Sequence, residues 1–195
     1  MTRAVMVLLV IGELLVSTEA FAQGEEWEDP GLWIAAGGSY GLASTDCVRC
    51  SVASLSGFAA VVGFGGSASR KIRFGVEGVG WFQAGADTTR EYIGLAVIVQ
   101  WFPVKTTPLS IQVGVGGGRY AEQGGGDLLE ASGFNLQIGA NYDYYFSRNI
   151  AVRPFARYLF TGAGGLTTKL NRQVQFTDMN FGLLHLGVAL TWVKL

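Results

Sequence analysis

The sequence predicts an all-β protein: eight antiparallel strands forming an up-and-down, membrane-crossing β-barrel. Three observations carry that expectation. Bulky apolar residues alternate with small or polar ones over eight segments; the interleaved residues are mostly Gly, Ala, Ser, Asn and Gln rather than Lys and Glu; and the connections alternate short and long. Composition agrees, because among 195 residues there are 29 Gly, with 49% apolar and 15% charged residues, where soluble domains carry roughly 7% Gly and about 25% charge. Fourteen Lys and Arg against fifteen Asp and Glu leave a formal charge of -1. Such a chain has no basic footprint for a run of phosphates, so a nucleic-acid partner is not expected. Beyond the first twenty residues no apolar run approaches the roughly 18 residues of a spanning helix, so any crossing falls to strands.

The amino terminus has the form of a secretory signal. Arg3 precedes an apolar run from Val5 to Val16, interrupted by Glu13, and Ala20, Phe21 and Ala22 supply a small-residue cleavage site. Residues 1–22 are therefore expected to be removed, leaving 23–195 as the barrel domain. Their loss takes away Arg3, Glu13 and Glu19, so 13 basic and 13 acidic groups remain.

Successive side chains on a strand point to opposite faces, so a face in contact with an apolar medium reads as every second residue. The first segment sets Leu32, Ile34, Ala36, Tyr40 and Leu42 against Ala35, Gly37, Ser39 and Gly41. The second sets Phe58, Ala60, Val62 and Phe64 against Gly57, Ala59, Gly63 and Gly65. In the third, Ile72, Phe74, Val76 and Phe82 alternate with Arg73, Gly75, Glu77 and Gln83; in the fourth, Ile93, Leu95, Val97, Val99 and Trp101 alternate with Tyr92, Gly94, Ala96, Ile98 and Gln100. The fifth carries Ile111, Val113 and Val115 over Gln112, Gly114 and Gly116. The sixth runs Phe134, Leu136, Ile138, Ala140, Tyr142 and Tyr144 over Asn135, Gln137, Gly139, Asn141 and Asp143. The seventh has Ile150, Val152, Tyr158 and Phe160 over Arg153 and Arg157, and the last has Leu184, Leu186, Val188, Leu190 and Trp192 over His185, Gly187, Ala189 and Thr191. Val61, Val79, Trp81, Phe155 and Leu159 fall on the small face, where a bulge could shift some of them. Pro154 falls mid-strand on the apolar face and predicts a bulge or a place near the rim.

The small and polar set does not look like a solvated surface; it suits a narrow lumen, which leaves the bulky set facing lipid. Hydrocarbon offers the backbone no partners, so the strands must close, and eight is the smallest even-numbered solution. Short connections near Ser67–Ser69, Pro103–Pro108 and Ser147–Asn149 face long ones over Ser44–Ser54, Ala84–Arg90, Tyr120–Ser132 and Thr161–Asp178. Bacterial barrels keep short turns on the periplasmic side, which places both termini there. Phe64, Phe74, Trp101, Tyr144, Phe146 and Trp192 then form an inner aromatic girdle, and Tyr40, Phe82, Phe134, Tyr158 and Phe160 an outer one.

These eight segments, the tract from Tyr142 to Tyr158 and the last strand resemble the small OmpA/OmpX-type, or opacity-like, outer-membrane barrels, over most of residues 23–195. In the last strand His185, Gly187, Leu190 and Trp192 look like that family's recognition signal for the insertion machinery, although Val193, Lys194 and Leu195 follow where the family ends on its aromatic residue. The resemblance implies a monomer in the outer membrane of a Gram-negative cell. Its belt would contact lipid and lipopolysaccharide, and its outer loops would be open to a surface ligand.

Inward-facing Arg73, Glu77, Asp143, Arg153 and Arg157 form the charged cluster on the strands, with Asp143 opposite Arg153 if Ser147–Asn149 makes a three-residue hairpin. An eight-stranded lumen is just wide enough for side chains to fill it, so the expectation is a charge network plugging the lumen rather than an ion path. Cys47 and Cys50 lie in the first outer loop, where an oxidising compartment allows a disulfide. Redox or zinc chemistry lacks further ligands, since the sole His is His185. Lipid A deacylases of the outer membrane carry His, any residue, then Ser on one strand; here Leu186 and Gly187 follow His185, and no Ser occurs after Ser147. Gly114, Gly116, Gly117 and Gly118 lack the Lys and Ser or Thr of a phosphate loop and make room for bulky lumen neighbours. Neither catalysis nor a cofactor is expected. The alternatives are a lipid A-modifying enzyme and a soluble lipocalin-like carrier of apolar ligands, the latter suggested by Gly31, Leu32 and Trp33.

Overall fold

The computed structural model describes residues 31–46, 54–104, 106–124, 127–168 and 174–194. Its strands are β1 (Leu32–Asp46), β2 (Ser54–Ser69), β3 (Ile72–Ala84), β4 (Thr88–Trp101), β5 (Leu109–Gly124), β6 (Asp127–Tyr142), β7 (Tyr144–Tyr145), β8 (Ile150–Thr168) and β9 (Val174–Lys194). Every pairing is antiparallel, and β7 continues β6 past Asp143, so the nine segments make eight staves. Sequential neighbours pair, and β1 with β9 closes the sheet into a barrel.

One circuit of the ladder measures the stagger. Trp33 pairs with Gly65, and the path continues through Gly75, Ile98, Gly114, Gln137, Leu159 and Leu183. It returns to β1 at Ala43, ten residues above its start. Eight strands with that shear tilt by about 40°, inside the range closed barrels adopt.

The bulky apolar set faces outward. Leu186 and Leu190 are 60% and 59% exposed while Thr191 is 0%, and the same alternation runs along all eight staves. Both aromatic girdles lie on this outer surface. The core is the lumen, where glycines make room for large inward side chains. Gly65 and Gly75 pair with each other beside Trp33; a Cβ on Gly75 would sit 2.3 Å from the Phe64 carbonyl oxygen and 2.5 Å from Trp33 Cζ2. A Cβ on Gly118 would meet Tyr92 Oη at 2.1 Å, and one on Gly114 would meet Gln137 Cγ at 2.7 Å. Glycine in these strands thus leaves room for large inward neighbours. Gly117, by contrast, faces outward, where the nearest contact of an added Cβ is the Gly133 carbonyl oxygen at 3.7 Å.

Three expectations need correction. Val61, Val79, Trp81, Phe155 and Leu159 are not shifted by a bulge: their ladders are unbroken, they point inward, and all are buried. They help to build an apolar cluster in the half of the lumen away from the termini, with Tyr92, Tyr120, Phe181 and Leu183. The lumen is therefore not plugged by polar and charged groups alone. Secondly, most of the expected long connections are strand: β3 and β4 pair up to Ala84 with Thr89, β5 and β6 up to Gly124 with Asp127, and β8 and β9 up to Thr167 with Val174. Beyond the lipid belt nothing demands an apolar face, so alternation fades while the backbone ladder continues. Thirdly, Pro154 causes no bulge. Pairs Asn141 with Phe155 and Tyr144 with Val152 keep one register, and pairing lapses at the rungs between them, where a residue without an N–H is tolerated. The expected signal segment 1–22 and the Cys47–Cys50 pair lie outside the described residues.

Candidate functional site

The half of the lumen nearer the termini holds the charged cluster. The hairpin between β7 and β8 fixes its first pair: the Phe146 and Ser147 amides both donate to the Ile150 carbonyl, at 3.2 and 3.3 Å. That closes a three-residue loop over Ser147–Asn149 and sets Asp143 across from Arg153. The Asp143 carboxylate accepts hydrogen bonds from Arg153 Nε and, at 2.8 Å, from Arg153 Nη2. Arg73 Nη1 reaches the same carboxylate at 2.9 Å from β3, and its Nη2 donates to Tyr145 Oη at 3.1 Å. Arg73 also lies over the Phe102 ring at 4.7 Å, and Arg153 over the Trp33 ring at 5.8 Å.

The second pair is one step further in. Arg157 Nη1 sits 2.5 Å from Glu77 Oε2, and Arg157 Nη2 donates to Asn141 Oδ1 at 2.9 Å. The other Glu77 oxygen accepts from Gln112 Nε2 at 3.0 Å and from Gln137 Nε2 at 3.4 Å. Gln100 donates to Gln112 at 3.1 Å and extends the network along the ladder. The five charged residues predicted from sequence are all brought together and all are buried. Three guanidiniums against two carboxylates leave an excess of one positive charge, which the amide, phenol and aromatic neighbours share. Desolvation of these ions is offset only because they are paired and multiply hydrogen-bonded. The amides and Tyr145 were not predicted as partners. Their signal is inward parity on each strand, combined with the register that only the closed barrel supplies.

His185 lies inward and wholly buried on β9, with Nδ1 3.0 Å from Ser39 Oγ on β1. The expectation that His185 lacks a serine neighbour is corrected: the serine comes from the first strand, which closure brings beside the last. The Ser39 hydroxyl is also 3.4 Å from the Ala59 carbonyl oxygen, and the Phe155 ring packs edge-on against the imidazole. Enclosed in this way, the pair meets neither lipid nor solvent. Of the other residues in the expected insertion signal, Gly187 is turned inward, and Leu190 and Trp192 are on the lipid-facing side. Among the described residues no three His, Cys, Asp or Glu side chains gather in a metal-binding arrangement.

Towards the opposite mouth the lumen is aromatic. Phe181 stacks on Tyr92 with centroids 4.6 Å apart and lies 5.9 Å from Trp81 and 5.5 Å from Tyr120. Tyr92 Oη shares a 2.9 Å hydrogen bond with Thr161 Oγ1 and accepts one from Asn135. Above this cluster Arg90 bridges Glu122, at 3.1 Å from each oxygen, and Gln83. Charge network and aromatic cluster thus lie in series along the lumen.

No protein-family profile matches the chain, and no curated protein matches it in sequence. Solved structures do match. Neisserial surface protein A superposes with a TM-score of 0.54 at 16% identity, over 83% of this chain and 96% of that one. Ail, the attachment invasion locus protein of Yersinia pestis, gives 0.49 at 15% identity, over 84% and 99%. The outer membrane protein OprG of Pseudomonas aeruginosa gives 0.45 at 10%, over 84% and 96%. At such identity the likeness to the neisserial protein is one of fold. The chain is a closed eight-stranded antiparallel barrel with the architecture of the small outer-membrane barrels, as its OmpA/OmpX-type resemblance implied.

Proposed function

We propose that this chain is a bacterial outer-membrane protein with a structural or surface-interaction role, closed to ions and without catalysis. The observation that carries the reading is the continuous apolar outer surface, bounded by two aromatic girdles, on a barrel with no free edge. On β9 the stripe from Leu184 to Trp192 covers eight residue steps, which at about 3.3 Å each and about 40° of tilt span roughly 20 Å. An outer-membrane barrel presents an apolar band of about 25 Å. In water so large an apolar surface would drive association, which argues against the soluble carrier. The name of the neisserial surface protein supports a surface role, with the end opposite the termini open to a ligand or to lipopolysaccharide. The Ser39–His185 pair is the one observation on the side of a lipid A-modifying enzyme, and its burial within the lumen weighs against that. Unchanged lipid A mass spectra after deletion of the gene are expected; a lost modification would restore the enzyme reading.

Recovery of the protein in the outer-membrane fraction as a monomer, with heat-modifiable gel migration, tests the main reading. Recovery in the soluble periplasm without detergent would end it. Val188 lies midway along the β9 stripe and is 52% exposed. Val188→Arg is expected to destabilise the lipid-embedded barrel by roughly 2–4 kcal/mol, as a cation at the bilayer midplane does, read from urea unfolding in vesicles. An unchanged midpoint would show that this face does not meet hydrocarbon.

A further inference from the structure

The charged network lies between two aromatic layers. The Phe181 cluster is on one side, and at the mouth beside the termini Phe102, Trp33 and Tyr145 each meet one of its guanidiniums. Phe102 follows β4 and keeps its inward parity, two residues past Gln100. Its ring lies over Arg73 at 4.7 Å, and its amide donates to the Lys71 carbonyl at 2.9 Å. Trp33 Nε1 donates to the Phe74 carbonyl at 3.3 Å, and Tyr145 packs against the cluster that holds Trp33 and Val193. Behind these rings exposure falls from 8% at Phe102 to 1% at Asp143 and Arg153 and 0% at Gln100 and Ser110.

We propose that these rings form a water seal on the terminal side of the network, with Phe102 as its movable lid. The proposal rests on the reading of the bore as closed. Ions buried in pairs keep their attraction only while water stays out, and an aromatic face compensates a guanidinium without hydrating it. The rings at the mouth therefore do for Arg73 and Arg153 what solvent would otherwise do. They are not equally held. Trp33 is paired on both sides, with Gly65 and Val193, and Tyr145 is paired with Ala151. Phe102 stands one residue past the end of β4, outside the ladder, held by its backbone bond to Lys71 and its contact with Arg73. Local opening is cheapest where backbone pairing ends. Displacing this ring admits water to Arg73 and Asp143 but opens no path through the barrel, because the Glu77–Arg157 pair lies beyond.

Ser110 supplies a reporter. It is wholly buried and precedes Ile111, the partner of Trp101, so the ladder sets it beside Phe102. In a Cys47→Ser/Cys50→Ser background, Ser110→Cys is labelled with sulfonatoethyl methanethiosulfonate in detergent micelles, which leave both mouths to solvent. The thiol should be protected in the parent barrel. Phe102→Ala should speed its labelling on the order of a hundredfold, the factor that truncating a buried ring makes available for opening. Phe102→Leu should give a smaller rise, and it carries the test if the alanine variant does not fold. Thr161→Cys, in the far half where Thr161 bonds Tyr92, should stay protected throughout. A labelling rate in the parent equal to that of the unfolded chain would overturn the seal, and if Thr161→Cys reacted as well, the closed-bore reading would fall with it. A rate unmoved by Phe102→Ala would overturn the lid and place the barrier on other residues. Faster labelling of Thr161→Cys in that variant would overturn it too, as a sign that the whole barrel has loosened.

Discussion

Asp143→Ala is expected to destabilise the barrel by about 3–5 kcal/mol, the range for removing one partner from a buried ion pair. Asp143 is 1% exposed and receives hydrogen bonds from two guanidiniums, Arg153 and Arg73. Its removal strands both in a lumen that already holds one more cation than anions. Arg73 retains its bond to Tyr145 and its place over Phe102, but Arg153, also 1% exposed, loses its hydrogen-bonded counter-ion and keeps the Trp33 ring and the electrostatic attraction of Glu77, which Arg157 already engages. Adding Arg153→Met to Asp143→Ala should therefore recover part of the loss, since an apolar group of similar length needs no counter-charge. Urea unfolding in vesicles, followed by heat-modifiable migration, measures both variants. A loss below about 1 kcal/mol for Asp143→Ala would place the pair in the class of solvated surface bridges and mean that water reaches it.

The same residues show which parts of the molecule are legible in a linear sequence. Asp143 and Arg153 were paired from sequence because a short hairpin fixes register over the few residues that separate them. Glu77 and Arg157 were named as lumen residues by parity, but their contact was beyond reach: β3 and β8 touch only through the bore, and the angle between them depends on the shear accumulated through β4, β5 and β6. Ser39 and His185 lie at opposite ends of the chain and meet only because the barrel closes. The lipid-facing stripe was the clearest signal, since hydrocarbon imposes one demand on every outward position. No such rule governs the lumen, where volume is what must balance: Gly41 and Gly57 face Trp81, with an added Cβ meeting its ring atoms at 3.2 and 2.9 Å. A rule that keeps small residues inside therefore misplaced Trp81 and its apolar neighbours. It was the glycines opposite them that recorded where the large side chains go.

Phe181→Ala is expected to remove about 3–5 kcal/mol, the usual loss on truncating a buried phenylalanine. The ring is 1% exposed and is the common contact of Trp81, Tyr92 and Tyr120, so its deletion leaves three aromatic faces without a partner at once. Those rings cannot simply fall into the gap. Tyr92 is tethered to Thr161 and Asn135, and Tyr120 Oη donates to Glu122 at 2.8 Å. Even so, the variant should conduct no ions in a planar bilayer. The Arg73–Asp143–Arg153 cluster and the Glu77–Arg157 pair still cross the other half of the lumen, and opening them means stripping partners from buried charges. Because the two clusters lie in series along the lumen, stability and conductance are expected to respond separately: loss of the aromatic cluster should weaken the barrel without opening it. A stable conductance from Phe181→Ala would show that the aromatic cluster alone is the barrier and that the charged half is a water-filled vestibule. A stability loss under about 1 kcal/mol would show that the ring is not packed on those three neighbours.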